Sequence, residues 1–256
     1  MIRSLYTAVS GMITLENKQN TITNNMGNAN TIGYKEDTLS MKSFKEVLIQ
    51  NMDKVAGGNN VKQELGSLSL GVAIDSIDTL FTQGGLKETS KMSDFAVNGR
   101  GFFVVQRGNE RYYTRDGAFR VSNDGKLINN SGDLVLGINN RTGNMEPIFV
   151  GGEDFILDNS NNLIIGSNAT HKLALADFND YSSLEKVGDN YYVGEEPIYN
   201  AVVFVNQGFL EGSNVNIVNS MVDMLSVMRG FETNQKFVSM IDESLGKAAN
   251  EVGAVK

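Results

Sequence analysis

The chain of 256 residues has no cysteine, no tryptophan, two prolines and a single histidine. Without cysteine there is no disulfide, no thiol nucleophile and no cysteine-ligated metal. A histidine-based metal cluster or a Ser-His-Asp triad would depend entirely on His171. We expect His171, beside Lys172, to lie at the surface or at the edge of a strand. The sequence therefore predicts no enzyme activity, no metal and no cofactor.

Positive charge and long apolar runs are also scarce. Lys and Arg number 22 against 30 Asp and Glu, for a net charge of −8, and they are scattered. A nucleic-acid-binding surface needs clustered cations, so this class is excluded. No run approaches the roughly eighteen apolar residues of a membrane span, and polar residues interrupt the first fifteen positions. We expect a protein that is cytosolic or leaves the cell without a cleaved signal.

The amino-terminal stretch carries a 3-4 hydrophobic spacing that only Gln19 interrupts. Its positions are Leu5, Ala8, Met12, Leu15, Gln19, Ile22, Met26 and Ala29. This spacing predicts a helix of about 40 Å from Ile2 to residues 28–30, with a heptad seam. The Asn- and Gly-rich residues 24–35 follow as a stop signal. A seam of this kind needs a partner.

The carboxy-terminal stretch repeats the pattern, with Ser213 or Asn214 as the expected N-cap. Its seam positions are Ile217, Met221, Met224, Met228, Phe231, Gln235, Val238, Asp242, Leu245 and Ala249. The simpler interpretation is that the two helices pair within one chain. However, Val9 and Ile13 widen the first stripe, and Val218 and Leu225 the second. If these apolar stripes stayed exposed to water, the free energy gained by burying them would be lost, so further partners are favoured.

The predicted assembly interface takes its residues from both seams. Its members are Leu5, Met12, Leu15, Ile22, Met26, Ile217, Met221, Met224, Leu225, Met228, Phe231, Val238 and Leu245. Methionine is frequent among them, and its flexible side chain suits a surface that meets several non-identical neighbours. Plain filling of a core is the alternative explanation for these methionines.

Between residues 71 and 207 the hydrophobic period changes to two. Short strands are predicted at residues 72–77, 95–97, 102–105, 112–114, 119–121, 155–157, 163–165, 172–178, 191–193 and 201–205. Tight-turn pairs such as Asn98-Gly99 and Asp116-Gly117 separate them. Many short strands at close spacing indicate an antiparallel β-domain, a sandwich or a distorted barrel.

These patterns predict an α+β chain. Residues 1–35 and 211–256 form a terminal helical assembly domain, coiled-coil-like in its packing. Residues 36–70 form a linker region with a short helix within 41–55, and residues 71–210 form the central β-domain. The Gly-x-Gly at Gly99–Gly101 precedes a strand rather than a helix, so it predicts a hairpin turn and no dinucleotide site. The acidic residues 154–162 lack the spacing of a calcium loop and predict a turn.

Three separated motifs resemble those of bacterial flagellar rod and hook proteins. The first runs from Ser4 to Met12 and again from Asn24 to Lys35, the second from Asp94 to Phe119, and the third from Gln207 to Lys236. The motif positions include Asn24, Asn25, Asn30, Thr31, Gly33, Tyr34, Lys35, Gly99, Gly101, Phe102, Phe103, Ser213 and Asn214. The overall length is similar to that of the rod subfamily, and residues 247–253 resemble the rod-like proteins of Gram-positive flagella. The motifs fit a proximal-rod protein and a distal-rod protein equally well.

The resemblance implies a structural subunit of the flagellar rod, in the basal body within the cell envelope. It implies export by the flagellar type III machinery without a cleaved signal, contacts with other rod and hook proteins, and a helical homopolymer that transmits torque and forms part of the export channel. A hook or hook-junction protein is the near alternative. Two alternatives come from other functional classes. One is a cell-envelope enzyme on the rod fold, and the other is a soluble binding module whose two terminal helices pair only with each other.

Overall fold

The computed structural model describes residues 2–56, 59–166, 168–188, 190–199 and 203–252. Within them the chain is α+β, with a helix near each end and antiparallel strands between. The chain divides into two compact units, each built from separate stretches of sequence. The helical unit comprises Met1–Met26, Asp37–Asp78 and Ile217–Lys256. The β unit comprises Gly27–Glu36 and Thr79–Asn216.

The two helices are α1 (Ile2–Gly27) and α2 (Ile217–Lys247), the latter followed by a π-helical turn at Ala248–Val252. Helix α1 begins at the predicted residue and ends one to three residues before the predicted end. The predicted N-cap of α2 is wrong, because α2 begins at Ile217. The Asn214 side chain instead accepts a hydrogen bond from the Glu36 amide and donates to the Leu80 carbonyl, each at 2.8 Å. This side chain therefore connects loops of the β unit.

The helical unit also contains four strands. They are β1 (Asp37–Ser43), β2 (Val47–Ala56), β3 (Asn59–Leu68) and β4 (Val72–Thr79). Strand β1 pairs with β4, and β2 pairs antiparallel with β3. The short helix predicted within residues 41–55 is therefore wrong. Its apolar residues Phe44, Val47 and Leu48 are all exposed, so these three form no buried face that could stabilise a helix there.

The strands of the β unit are mostly short. They are β5 (Leu86–Glu88), β6 (Phe95–Asn98), β7 (Phe102–Arg107), β8 (Glu110–Thr114), β9 (Arg120–Val121), β10 (Leu127–Ile128), β11 (Leu134–Asn139), β12 (Met145–Pro147), β13 (Phe155–Leu157), β14 (Asn162–Ile165), β15 (Asn168–Leu173), β16 (Leu175–Ala176), β17 (Glu185–Lys186), β18 (Tyr191–Val193), β19 (Phe204–Gln207) and β20 (Phe209–Glu211). A 3₁₀ turn spans Tyr181–Ser183. Of the strand predicted at residues 201–205, residues 201 and 202 lie outside the described part of the chain.

The main sheet of the β unit is antiparallel, as predicted. Its hydrogen-bonded order is β13-β14-β15-β11-β7-β8-β18-β17, with β10 and β12 also paired to β11 and β16 to β7. Two separate ladders hold the carboxy-terminal strands of the unit, β19 on β6 and β20 on β5. The segment that leads to α2 is therefore built into the β unit.

Strand β7 lies at the centre of the core because it is buried on both faces. Phe103 and Val105 belong to one apolar cluster, with Phe95, Leu127 and Leu163. Their neighbours Phe102 and Val104 point to the other face and belong to a second cluster. Alternate side chains of a strand face opposite sides, so a strand covered on both sides needs a continuous apolar run.

The glycine-rich turn Gly99–Gly101 joins β6 to β7, but the hairpin predicted there is wrong. Strand β6 pairs with β19, whereas β7 pairs with β8 on one edge and with β11 and β16 on the other. A strand has two edges, and both edges of β7 are occupied. The turn therefore connects two different sheets.

Two further predictions concern His171 and the turn within residues 154–162. His171 lies within β15, between β14 and β11, and is only 8% exposed, so the predicted surface position is wrong. Its Nε2 lies 3.1 Å from Glu146 Oε1. The turn predicted within residues 154–162 is confirmed, since Asp158 Oδ1 accepts hydrogen bonds from the amides of Ser160 and Asn162.

Candidate assembly interface

Within the helical unit, α1 and α2 contact each other and run antiparallel. A methyl group built on Gly230 would lie 3.3 Å from Leu15 Cδ1, and one on Gly11 would lie 3.5 Å from Asn234 Nδ2. In both pairs the two residue numbers add to 245, so a higher position on α1 faces a lower position on α2. The small glycines let the helices approach at these two levels.

The inner face of α2 is rotated by one position from the predicted seam. The buried residues are Ser220, Val227 and Ile241, and Asn234 continues their spacing of seven. The predicted residues that share this face are half-buried: Met224, Phe231, Val238 and Leu245. The other predicted residues point outward: Ile217, Met221, Leu225 and Met228 are 40–56% exposed. The predicted seam passed one position from Ser220, Val227, Asn234 and Ile241, although Val227 and Ile241 are apolar.

The predicted interface residues on α1 are more buried than those on α2. Ile22 is buried, and Leu5, Met12, Leu15 and Met26 are half-buried. The ribbon of β1 and β4 is hydrogen-bonded to α1 at both of its ends. At one end Asn25 Oδ1 accepts from the Asp37 amide at 3.0 Å, and at the other Ser10 Oγ accepts from the Val72 amide at 3.3 Å.

The ribbon and the helix match in length. From Ser10 to Asn25 α1 rises about 22 Å. The extended chain from Asp37 to Phe44, whose amide bonds to the Gly71 carbonyl, spans about 23 Å. Asn25 is therefore more than part of a helix stop, because it fixes the start of the ribbon against α1.

The outer face of the helix pair keeps a large apolar surface in water. On α1 Tyr6, Val9 and Ile13 are exposed. On α2 Val218 is 70% exposed and Val222 61%. Exposed apolar side chains in this number are typical of an interaction site. This surface is the candidate assembly interface of the helical unit.

A second functional feature is a buried charge cluster in the β unit, formed by Lys35, Arg115 and Glu211. All three side chains are at most 1% exposed. Glu211 Oε1 accepts from Lys35 Nζ at 2.6 Å, and its Oε2 accepts from Arg115 Nη1 at 3.3 Å. The residues come from the first, second and third sequence motifs, so the cluster joins the three motifs at one point.

Backbone groups make further hydrogen bonds to this charge cluster. Lys35 Nζ donates to the Thr82 carbonyl and Arg115 Nη2 to the Gly99 carbonyl, each at 2.8 Å. The Gly33 amide donates to the Glu211 carbonyl at 2.8 Å. The segment that follows α1 and the segment that precedes α2 are thereby held together inside the β unit.

The charges of the cluster do not balance, since two cations share one carboxylate. Burial lowers the pKa of Lys35, and the nearby Arg115 lowers it further, whereas Glu211 opposes both effects. The Arg115 guanidinium also lies over the Phe102 ring, 5.1 Å from its centroid. Arg115 Nε is buried with no hydrogen-bond partner among the described residues. Glu211 is therefore the residue on which the cluster depends.

The other motif residues surround this cluster or the core. Tyr34 is buried, with Lys186 Nζ 4.1 Å from its ring centroid. The Thr31 amide donates to the Asn28 carbonyl, and the Gly101 amide donates to the Tyr181 hydroxyl. Phe103 lies in the core, Ser213 is half-buried, and Asn24 and Asn30 are exposed.

Neither a metal site nor a membrane helix is found within the described residues. No group of three or more His, Asp or Glu side chains there is arranged to hold a metal ion. In the same part of the chain, no helix has both the length and the hydropathy needed to cross a membrane.

Comparison with known families identifies the three motif regions separately. Residues 5–35 match the flagella basal body rod protein model, and residues 206–251 match the flagellar basal body rod FlgEFG protein C-terminal model. Residues 96–171 match the flagellar hook protein FlgE/F/G D1 domain model.

Whole-length relatives agree with these family matches. The chain is 28% identical to the flagellar hook-basal body complex protein FlhO of Bacillus subtilis, with all of both chains covered. It is 30% identical to the flagellar basal-body rod protein FlgG of Buchnera aphidicola subsp. Schizaphis graminum, over 96% of this chain and 98% of the relative. It is 29% identical to the flagellar basal-body rod protein FlgF of Caulobacter vibrioides, over the whole of both chains.

Proposed function

Because this chain belongs to the flagellar basal-body rod protein family, we propose that it polymerises with copies of itself into the helical tube of the rod. Its role as a structural subunit of the rod follows from the family. The proposal adds that the helical unit is the part that polymerises. The resulting tube transmits torque and forms part of the export channel.

The observation that carries this proposal is the apolar outer face of α2. Val218, Val222 and Leu225 are each more than half exposed, although α2 already packs against α1 through its other face. Burying a large aliphatic side chain contributes about 1.5–3 kcal/mol. Several such side chains per subunit, repeated around a tube, give many parallel contacts, as transmission of torque requires.

The proposed partners are copies of this chain, other rod and hook proteins, and the flagellar type III export machinery. Export of an axial subunit of this kind needs no cleaved signal. A hook protein is the alternative, because the chain is 38% identical to the flagellar hook protein FlgE of Borreliella burgdorferi. That match covers 50% of this chain and only 29% of the hook protein, whereas the rod relatives match over nearly their whole length.

Imaging of basal bodies tests the proposal. A strain that lacks this protein should assemble basal bodies that stop within the rod, and the wild-type gene should restore the missing segment. A strain that completes its rod and stops at the hook would instead support the hook alternative. Purified full-length protein should form concentration-dependent polymers in sedimentation velocity. A chain that stays monomeric at every concentration would contradict self-assembly.

A further inference from the structure

The chain contains one Asn-Gly pair, Asn98-Gly99, where β6 turns into β7. Both residues are exposed. We propose that Asn98 is a site of spontaneous deamidation and that the side chain of Gln83 slows this reaction in the folded chain. All of the residues involved belong to the β unit, so the site is independent of the proposed assembly of the helical unit.

Deamidation at an Asn-Gly pair begins with the backbone amide of the glycine. The Gly99 nitrogen gives up its proton and attacks Asn98 Cγ, and the new N–C bond closes a succinimide ring. The Asn98 Cγ–Nδ2 bond breaks, and the amino group takes up a proton and leaves as ammonia. Water then opens the ring at either carbonyl, which leaves aspartate or isoaspartate at position 98. Glycine favours ring closure because it has no β-carbon to obstruct the attack.

The space around this turn does not obstruct the reaction. The φ of Gly99 is +92°, and a methyl group built on it would meet no atom within 4 Å beyond its chain neighbours. Asn98 is the last residue of β6 and is exposed to water, which supplies the second reactant. Hydrogen bonding, rather than steric exclusion, therefore controls the site.

Gln83 binds the backbone on both sides of Asn98. Its Oε1 accepts a hydrogen bond from the Gly99 amide at 2.9 Å, and its Nε2 donates to the Val97 carbonyl at 3.2 Å. The proton that the Gly99 amide donates to Gln83 is the proton that must leave before the ring can close. The reaction therefore has to break this hydrogen bond, which corresponds to about a two- to tenfold change in an equilibrium.

The Gly99 carbonyl is also held by a hydrogen bond. It accepts from Arg115 Nη2 at 2.8 Å, and Arg115 also binds Glu211 in the buried charge cluster. Isoaspartate adds a methylene group to the backbone just before Gly99, so it displaces the carbonyl that Arg115 uses. Modification of Asn98 therefore reaches the charge cluster through the Gly99 carbonyl.

Peptide mass spectrometry of the full-length protein tests this site. The purified wild type and variants are kept folded at about pH 8 for several days, and samples are digested with trypsin. Cleavage after Lys91 and Arg100 yields the peptide Met92–Arg100, which contains Asn98. Conversion of the amide to an acid changes the mass of this peptide, and chromatography separates isoaspartate from aspartate. The wild type in urea gives the rate in the unprotected chain.

Three variants isolate the effect of Gln83. Gln83→Ala removes the acceptor of the Gly99 amide, whereas Gln83→Glu keeps an acceptor there. Gln106→Ala removes another glutamine side chain of the β unit, from strand β7, and serves as control. Circular dichroism checks that the variants stay folded, and deamidation of the exposed Asn130 provides an internal reference in each sample.

Asn98 should deamidate more slowly in the folded wild type than in urea, and Gln83→Ala should raise its rate about two- to tenfold, as loss of one hydrogen bond predicts. Gln83→Glu and Gln106→Ala should keep the wild-type rate at Asn98, and the rate at Asn130 should be the same in every folded sample.

Three results would overturn the proposal. If Asn98 stays unmodified even in urea, it is not a deamidation site. If the wild type and Gln83→Ala deamidate at equal rates, Gln83 does not protect Asn98. If Gln83→Ala raises the rates at Asn98 and Asn130 alike, the change has loosened the fold as a whole, and the specific role of Gln83 is wrong.

Discussion

Lys35 Nζ lies 2.6 Å from Glu211 Oε1, although 175 residues separate the two in the chain and both side chains are fully buried. The pair joins the segment after α1 to the segment before α2 within the β unit. Removing one partner of a buried ion pair leaves an uncompensated charge, which costs about 3–5 kcal/mol. The loss should be larger at Glu211 than at Lys35, since Glu211 neutralises two cations.

Glu211→Gln should therefore lower the free energy of unfolding of the β unit by about 3–5 kcal/mol, measured by urea denaturation. Lys35→Met should cost less, because it leaves the Arg115–Glu211 pair balanced. Asp75→Asn is the matched control, since it breaks the exposed Lys42–Asp75 pair, whose side chains are 59% and 50% exposed. An exposed pair contributes about 1 kcal/mol or less. Equal losses in Glu211→Gln and Asp75→Asn would contradict a structural role for the cluster.

Gly33 allows the chain to pass close to the backbone beside Arg115. Its φ is +68°, and a methyl group built on it would lie 2.5 Å from the Arg115 carbonyl carbon. Gly108 has a nearly equal φ of +64° with nothing within 4 Å of such a methyl group. Gly108→Ala should cost about 1–2 kcal/mol, the price of the left-handed backbone alone.

Gly33→Ala should cost several kcal/mol more than Gly108→Ala, because it adds a clash between two backbones to the same backbone strain. Thermal unfolding of the two variants measures the difference. Similar melting temperatures for both would show that the segment after α1 is free to move away from Arg115, and would argue against its tight docking in the β unit.

Ionisation of Asp116 should make the stability of the β unit depend on pH. Burial raises the pKa of Asp116 to about 6, the nearby Asp94 raises it as well, and the Ala118 amide opposes the shift. A carboxyl with a raised pKa binds its proton more tightly in the folded state than in the unfolded state. Stability should therefore fall as the pH rises from about 4 through about 6, and then level off.

Asp116→Asn should remove this fall, because an amide keeps an acceptor for the Ala118 amide and does not ionise. The shift of about two pKa units corresponds to at most about 3 kcal/mol, and less for a carboxyl that is partly exposed. Urea denaturation between pH 4 and pH 7 measures the slope in the wild type and the variant. The exposed Asp124→Asn is the control, and it should leave the slope unchanged. A variant with the wild-type slope would assign the dependence to other groups.

The fold was predictable where a pattern is local. The heptad spacing of α1 predicted its start and, within three residues, its end, and the alternation around Phe95, Tyr113 and Tyr191 predicted their strands. The hairpin of β2 and β3 was not predictable, because its exposed apolar residues match helical and strand spacing equally well. Its identity depends on pairing between residues up to 21 positions apart, such as Val47 with Leu68.

The candidate assembly interface and the charge cluster likewise include features that the sequence did not predict. The α2 seam was displaced by one position because its 3-4 spacing was set on Ile217, Met221 and Met228, and it then continued through Gln235 and Asp242 beside the buried Val227 and Ile241. No sequence pattern predicts the charge cluster, because Lys35, Arg115 and Glu211 are single charged residues in unrelated segments. Only the three-dimensional fold brings them together. Their motifs marked the right segments without indicating this role.

Leu15 and Leu225 should separate folding of the helical unit from its assembly. Leu15 packs against Gly230 at the α1–α2 contact, whereas Leu225 is 56% exposed on the outer face. Leu15→Asp places a charge between the helices and should lower both helix content and assembly. Leu225→Asp places the charge in water in the free subunit, so it should leave the helix content unchanged and block assembly.

Circular dichroism of the purified variants and complementation of a strain that lacks this protein measure the two effects. Both variants should fail to restore motility, but only Leu15→Asp should lose helical signal. Ser226→Asp, at the exposed position next to Leu225, introduces the same charge without removing an apolar side chain and should support motility. If Leu225→Asp restores motility as fully as Ser226→Asp does, the outer face of α2 is not buried in the rod, because a carboxylate enclosed in an apolar contact would cost several kcal/mol in every subunit.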